Sequence, residues 1–290
     1  MPLLIRNLFF FLFLSSLALS GNGGERPDPG GDPLQRGFQL LHEGKVEAAI
    51  EMFERILEEE PTNPAAHYGK ASSLFKRESF ETTLEVLDDM LGRNAEDLNA
   101  LNLRAITYYN LHRFEEAVAD FERASELDPE EGYFHECLSW AYLCLGKPEA
   151  ASRAALRANT LYQQSGENPS FSLLVAYLGF RMSEDEREAI KVLRYASDAM
   201  DPVDWPFPIV DYFRGSIDED GLIIEVDTLP QETEARTYIA VKKMLDHDRE
   251  TARRNLLWVV KRGNPEVFEH TYAQVLYSQL SGDEDGKGLR

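Results

Sequence analysis

The chain has 290 residues, 43% of them hydrophobic and 28% charged, the composition of an ordinary folded protein rather than a disordered one. Its 30 basic and 51 acidic residues leave a formal charge of −21. A field of that sign repels phosphate backbones and anionic lipid, so neither nucleic-acid binding nor direct lipid binding is expected.

Residues 1–20, MPLLIRNLFFFLFLSSLALS, have the plan of a signal peptide. Arg6 and the amino terminus make a positive start, Leu8 to Leu19 an apolar run, and Ala18 and Ser20 are small residues placed for cleavage before Gly21. A run of twelve residues falls short of the roughly 20 that span a bilayer, so export to the periplasm or medium is expected, ahead of a membrane anchor. Residues 21–32, rich in Gly and Pro, read as a flexible linker, and residues 281–290 as a disordered tail.

From residue 33 the chain repeats itself every 34 residues. Small residues recur at Gly37, Ala71, Ala105 and Ser139, and again at Ala49, Thr83, Ala117 and Ala151. Large apolar ones recur at Leu40, Leu74, Tyr108 and Tyr142, and at Val46, Phe80 and Phe114 with Pro148 in the fourth place. HRFEEAVADFERASELDP, from His112 to Pro129, is the turn and second helix of the third copy. Small residues let two antiparallel helices cross closely, and a hairpin that cannot bury its own apolar face must stack on its neighbours. Cys137 and Cys144, seven apart on one predicted helix, lie about 10 Å from each other, too far for a disulfide, and read as buried thiols.

This pattern resembles the tetratricopeptide repeat. The resemblance implies an all-α helical-hairpin solenoid of about six repeats. Four units occupy 33–165 in strict register, and a fifth, displaced by four residues, occupies 166–202. Pro206 and Pro208 interrupt the array, making 203–231 a non-repeat insertion in which Gly215 ends a short helix and Ser216 with Glu219 forms a capping box. A sixth unit follows at 232–265, and 266–280 make a capping helix. The W-P-x-P entry at Trp205, the aromatic helix after it and the closing FEHTYAQVLYSQL are similar to bacterial cell-envelope repeat lipoproteins of the NlpI type. That resemblance implies a non-enzymatic adaptor for envelope proteases and peptidoglycan-processing enzymes, with homodimerisation an option. It departs at Gly21, where those lipoproteins carry the lipidated cysteine.

No motif for chemistry stands out. HEGKV at His42 and HECLS at His135 each lack the second histidine of a zinc helix, and the two DEDG segments lack the spacing of a calcium loop. No catalytic residue, metal site or cofactor is therefore assigned, and the chain is read as a scaffold rather than an enzyme. In this repeat family ligands lie along the concave face lined by first helices. That places a protein-binding groove on Tyr68, Ser72, Phe75 and Lys76, on Asn99, Asn102, Ile106, Tyr109 and Asn110, and on Tyr133, Glu136 and Trp140 with Leu143 and Cys144. Aromatic faces mixed with amides suit an extended or helical peptide. Leu34 and Phe38 stand where the family's chaperone-binding branch has its carboxylate-clamping Lys and Asn, so that ligand is not expected.

The reading is an exported scaffold for a protein or peptide partner in the cell envelope, acting in assembly or proteolysis. A membrane-anchored assembly factor and a hydrolase with an unrecognised site are the alternatives. An open groove predicts that Tyr109→Ala with Trp140→Ala weakens partner capture and leaves the melting temperature intact. The acidic first unit and the basic sixth, with Lys242, Lys243, Arg249, Arg253, Arg254, Lys261 and Arg262, suggest contacts between copies. Such contacts predict a sedimenting mass that falls as salt rises from about 0.02 to 0.5 M and the Debye length shrinks.

Overall fold

The first helices of the first four hairpins each begin where a side-chain oxygen caps them. In the computed structural model Asp32, Asn63 and Asp97 each accept a hydrogen bond of 3.0 Å from a backbone N–H two or three residues on, and Glu131 accepts one of 2.7 Å from Tyr133. Residues 32–167 and 170–282 are described, and their fifteen regular elements are all helices. The expected signal peptide, the expected linker up to residue 31 and the expected tail beyond Gly282 lie outside them.

The helices fall into two units, meeting in sequence at Leu127 and Asp128. Unit A holds three hairpins: α1 (Pro33–His42) with α2 (Val46–Glu59), α3 (Pro64–Lys76) with α4 (Phe80–Arg93), and α5 (Leu98–Asn110) with α6 (Phe114–Leu127). Unit B holds α7 (Gly132–Cys144) with α8 (Pro148–Ser165) and α9 (Ser170–Met182) with α10 (Glu186–Ala199). Two short helices follow, α11 (Phe207–Arg214) and α12 (Glu219–Ile224), then α13 (Leu229–Leu245) with α14 (Arg249–Arg262), and finally α15 (Phe268–Gly282).

The turn inside each hairpin has one geometry. Gly44, Glu78, His112 and Gly146, spaced by 34, all take left-handed backbone with φ between 57° and 72°. After each of them the next N–H reaches five residues back, as Lys45 to Leu40 and Ser79 to Leu74 at 2.9 Å, which closes the first helix. Glu184 (φ 61°), displaced by four, and His247 (φ 62°) repeat the geometry in unit B. Only glycine adopts it freely; a residue with a Cβ gives up about 1 kcal/mol or more.

The periodic small residues sit at the helix crossings. Ala49, Ala71, Thr83, Ala105, Ala117, Ser139 and Ala151 are fully buried. Phe53 shows why the spacing matters: its ring lies against both α1 and α3, where a Cβ on Gly37 or Gly69 would stand 2.7 or 2.3 Å from Phe53 Cε1. Leu87 and Phe121 fill the same place in the next two hairpins and are likewise buried completely. Cys137 and Cys144 are buried free thiols.

Three details differ from the sequence reading. α13 starts at Leu229 and α15 continues through Gly282, so Ser281 and Gly282 are helical. α12 is capped by Asp218, which accepts from Gly221 N at 2.9 Å, and not by Ser216. Glu219 cannot close a box because its carboxylate is engaged by Lys243 Nζ at 2.6 Å. The capping box forms later, between Thr228 and Gln231.

Two substitutions test this account by urea unfolding. Gly69→Ala is expected to lose about 1–3 kcal/mol by overpacking against Phe53. Glu78→Gly, at an exposed left-handed position, is expected to gain about 1 kcal/mol.

Candidate functional site on the first helices

In unit A the first helices pack side by side, α1 on α3 and α3 on α5. Four of the nine expected groove residues of this unit lie in the seams. Tyr68 (8% exposed), Ser72 (3%), Asn102 (6%) and Tyr109 (2%) are buried. Burial pushes the Tyr68 hydroxyl up to about 12. Phe75, Asn99, Ile106 and Asn110 stay half-buried, and Lys76 is exposed. Phe75 leans on Phe80 with ring centroids 5.5 Å apart, and Tyr109 meets Phe114 edge-on at 5.4 Å. Asn110 donates from Nδ2 to Ile106 O at 2.9 Å, so its amide serves its own helix. Asn102 Oδ1 has no hydrogen-bond partner among the described residues. Phe38, which the sequence reading noted only as a missing clamp residue, joins this face: it is half-buried and packs on the Phe53 ring at 5.0 Å.

The face is held in shape from behind by Arg104. Its guanidinium grips both oxygens of Asp120 on α6 at 2.7 Å and reaches Asp88 on α4, also at 2.7 Å. This bidentate pairing holds the Arg104 guanidinium well above its ordinary range.

Unit B overturns the expectation of an open groove. Tyr133, Glu136, Trp140, Leu143 and Cys144 are all buried, because helices later in the chain return over α7. Trp140, 1% exposed, stacks on Phe268 of α15 at 6.2 Å and 7°. Tyr272 of α15 and Tyr238 of α13 meet it edge-on at 6.0 and 6.5 Å. The aromatic series continues from Tyr238 to Phe213 of α11 at 6.0 Å and from Phe213 to Tyr177 of α9 at 4.7 Å. Trp140 is thus a core residue, not a ligand anchor.

Acidic side chains lie within this interior. Glu136 accepts from the Tyr162 hydroxyl at 2.6 Å, Glu234 from Trp205 Nε1 at 2.5 Å, and Glu269 from the Tyr238 hydroxyl at 3.3 Å. Burial raises the Glu234 carboxyl well above the usual carboxylate range, with the Glu269 charge adding to it. Burial likewise pushes Glu269 up to about 8. The sequence reading missed Glu234 and Glu269. The signal for the second was there: 269, 272, 273 and 276 share one apolar helical stripe, in which the glutamate is the odd member.

Among the described residues no group of three or more His, Cys, Asp or Glu is placed to hold a metal ion, and no helix is long and apolar enough to cross a membrane.

Residues 42–124 match the family model of the anaphase-promoting complex (cyclosome) subunit 3, and residues 102–165 match a tetratricopeptide-repeat model. A tetratricopeptide-repeat protein from Parabacteroides merdae superposes with a TM-score of 0.62 at 16% identity, covering 84% of this chain and 96% of that one. These residues are tetratricopeptide repeats, and the chain has the tetratricopeptide-repeat fold. MamA AMB-1 shares the fold with a TM-score of 0.50 at 15% identity, covering 57% of this chain and 88% of its own. Two curated relatives are DnaJ homolog subfamily C member 3 of Gallus gallus, 27% identical over 131 residues, and RNA polymerase II-associated protein 3 of Homo sapiens, 26% identical over 95. The matches cover 40% and 33% of this tetratricopeptide-repeat chain but only 26% and 14% of those proteins.

Core placement of Trp140 reverses the expected phenotype of its variants. Trp140→Ala, alone or with Tyr109→Ala, is expected to lower stability by about 3–5 kcal/mol in chemical unfolding, where an open-groove residue would leave it unchanged.

Proposed function

We propose that this protein is an exported scaffold that captures a peptide or protein segment on the first-helix face of unit A and performs no chemistry of its own. The observation that carries this reading is the row of half-buried apolar side chains Phe38, Phe75 and Ile106, one on each of α1, α3 and α5, bordered by Asn99 and Lys76. Three apolar anchors, one from each successive hairpin, match a partner helix or strand that presents side chains along one edge. The half-exposed Asn99 amide offers a polar contact for a peptide backbone. Tyr68, Ser72, Asn102 and Tyr109 contribute by fixing the relative tilt of the helices rather than by touching the partner.

Export rests on the segment MPLLIRNLFFFLFLSSLALS, and a role in envelope assembly or proteolysis rests on the likeness of the C-terminal third to envelope adaptors. Tetratricopeptide-repeat proteins bind protein partners, which is the common ground of this family. The basic residues of the last hairpin are partly neutralised inside unit B, Lys243 by Glu219 and Lys242 by Asp246 at 3.3 Å, which weakens the case for charge-driven contact between copies.

The test is a peptide-display selection on the full chain, followed by affinity measurement on Phe75→Ser with Ile106→Ser. Loss of at least tenfold in affinity with an unchanged thermal midpoint is expected. Undiminished binding of every selected peptide would exclude this face. Intact mass of the secreted protein starting at Gly21 checks the export reading.

A further inference from the structure

The first-helix face of unit B carries the same periodic positions as unit A, yet it is covered by a helix from the end of its own chain. What lies under that helix is unusual for a core. Glu269 enters from α15, Glu234 from α13 and Glu136 from α7, with 0%, 3% and 1% of their surfaces exposed. Glu269 accepts from the Tyr238 hydroxyl and from a backbone N–H, Glu234 from Trp205 Nε1 and Glu136 from the Tyr162 hydroxyl. Glu269 Oε2 is buried with no hydrogen-bond partner among the described residues, and so is Trp140 Nε1 nearby. Transferring an ionised carboxylate into such a place without a cation is strongly unfavourable, whereas a neutral carboxylic acid is tolerated.

Glu269 itself forms no ion pair among the described residues, and the titratable groups near it are these. From α7 come Glu136 and Cys144, from α13 Glu234 and Tyr238, and from α8 Tyr162 through Glu136, while α15 itself adds His270 and Tyr272. The charged residues of α14, which packs beside α15, are Arg249, Glu250, Arg253, Arg254, Lys261 and Arg262, all exposed. α15 also touches α9, where the Tyr272 hydroxyl donates to Met182 Sδ at 3.4 Å.

We propose that α15 is a pH-sensitive latch: it seals the first-helix face of unit B while Glu269 and Glu234 are protonated, and lifts to uncover Trp140 as they ionise. Lifting removes Glu269 from the interior and lets water reach Glu136 and Glu234. In the closed state the Glu269 carboxyl sits near 8, and once hydrated it returns to the ordinary value of about 4.3. Opening therefore releases a proton throughout the window between those values. The closed state is favoured below it, and closure is progressively lost as pH rises. Glu269 makes the opening constant grow about tenfold per pH unit within that window, levelling off above it, and Glu234, raised in the same direction by burial, adds to the dependence.

Hydrogen–deuterium exchange of the full chain between pH 5 and 9, with labelling times scaled for the intrinsic rate, reads this directly. In the wild type, protection of peptides from α15 is expected to fall about tenfold or more per unit up to pH 8, with α9 keeping its protection. Glu269→Gln with Glu234→Gln, which keeps the shapes and removes the charges, should flatten the α15 profile. Three results would overturn the latch: constant α15 protection in the wild type, the same fall in the Gln variant, or a parallel fall in α9, which means the whole unit unfolds. Should the Gln variant fail to fold, the wild-type profiles of α15 and α9 still decide.

Discussion

Two helices can share a hairpin in this protein only because their backbones come close where they cross, and everything else is arranged around that approach. Phe53 shows the constraint at its tightest, wedged against Gly37 and Gly69 with no room for a methyl group at either. In the following hairpins alanines and Thr83 take the crossing positions, and Leu87 and Phe121 fill the space that Phe53 fills in the first. The left-handed turn residue is part of the same arrangement, because it ends the first helix abruptly enough for the second to fold back along it. Where glycine is absent there, at Glu78, His112, Glu184 and His247, the hairpin's packing outweighs a local conformational cost.

Identical hairpins then lead to different surfaces. In unit A the first helices of three hairpins leave Phe38, Phe75 and Ile106 half in water. In unit B the corresponding helices face inward onto an aromatic series from Tyr177 to Tyr272, completed by α13 and α15. The non-repeat helices α11 and α12 belong to this closure, since Phe213 links the Tyr177 ring to the Tyr238 ring. An apolar surface that one unit leaves half in water is, in the other, satisfied by the chain itself.

The buried carboxylates add an opposing term to that closure. Aromatic burial favours the sealed form, and ionisation of Glu269 and Glu234 disfavours it, so the balance depends on proton concentration. A core of leucines at the same positions would close without any such dependence.

The hairpin register was legible because it is local. The spacing of small residues at Gly37, Ala71, Ala105 and Ser139 reports contacts between helices joined by a short turn. The displaced fifth hairpin could be read for the same reason, from Ala189 and Ala196. Exposure could not be read in this way. Periodicity marks a residue such as Trp140 as lying outside its own hairpin's crossing, but whether that side meets water or another helix depends on Phe268, 128 positions downstream. The sequence by itself determined the repeat, its turns and its helical class, since those rest on contacts within about 34 residues. Only the tertiary structure decided that Trp140 and Glu136 are core while Phe75 and Ile106 face outward, because burial is a property of what folds back over a face.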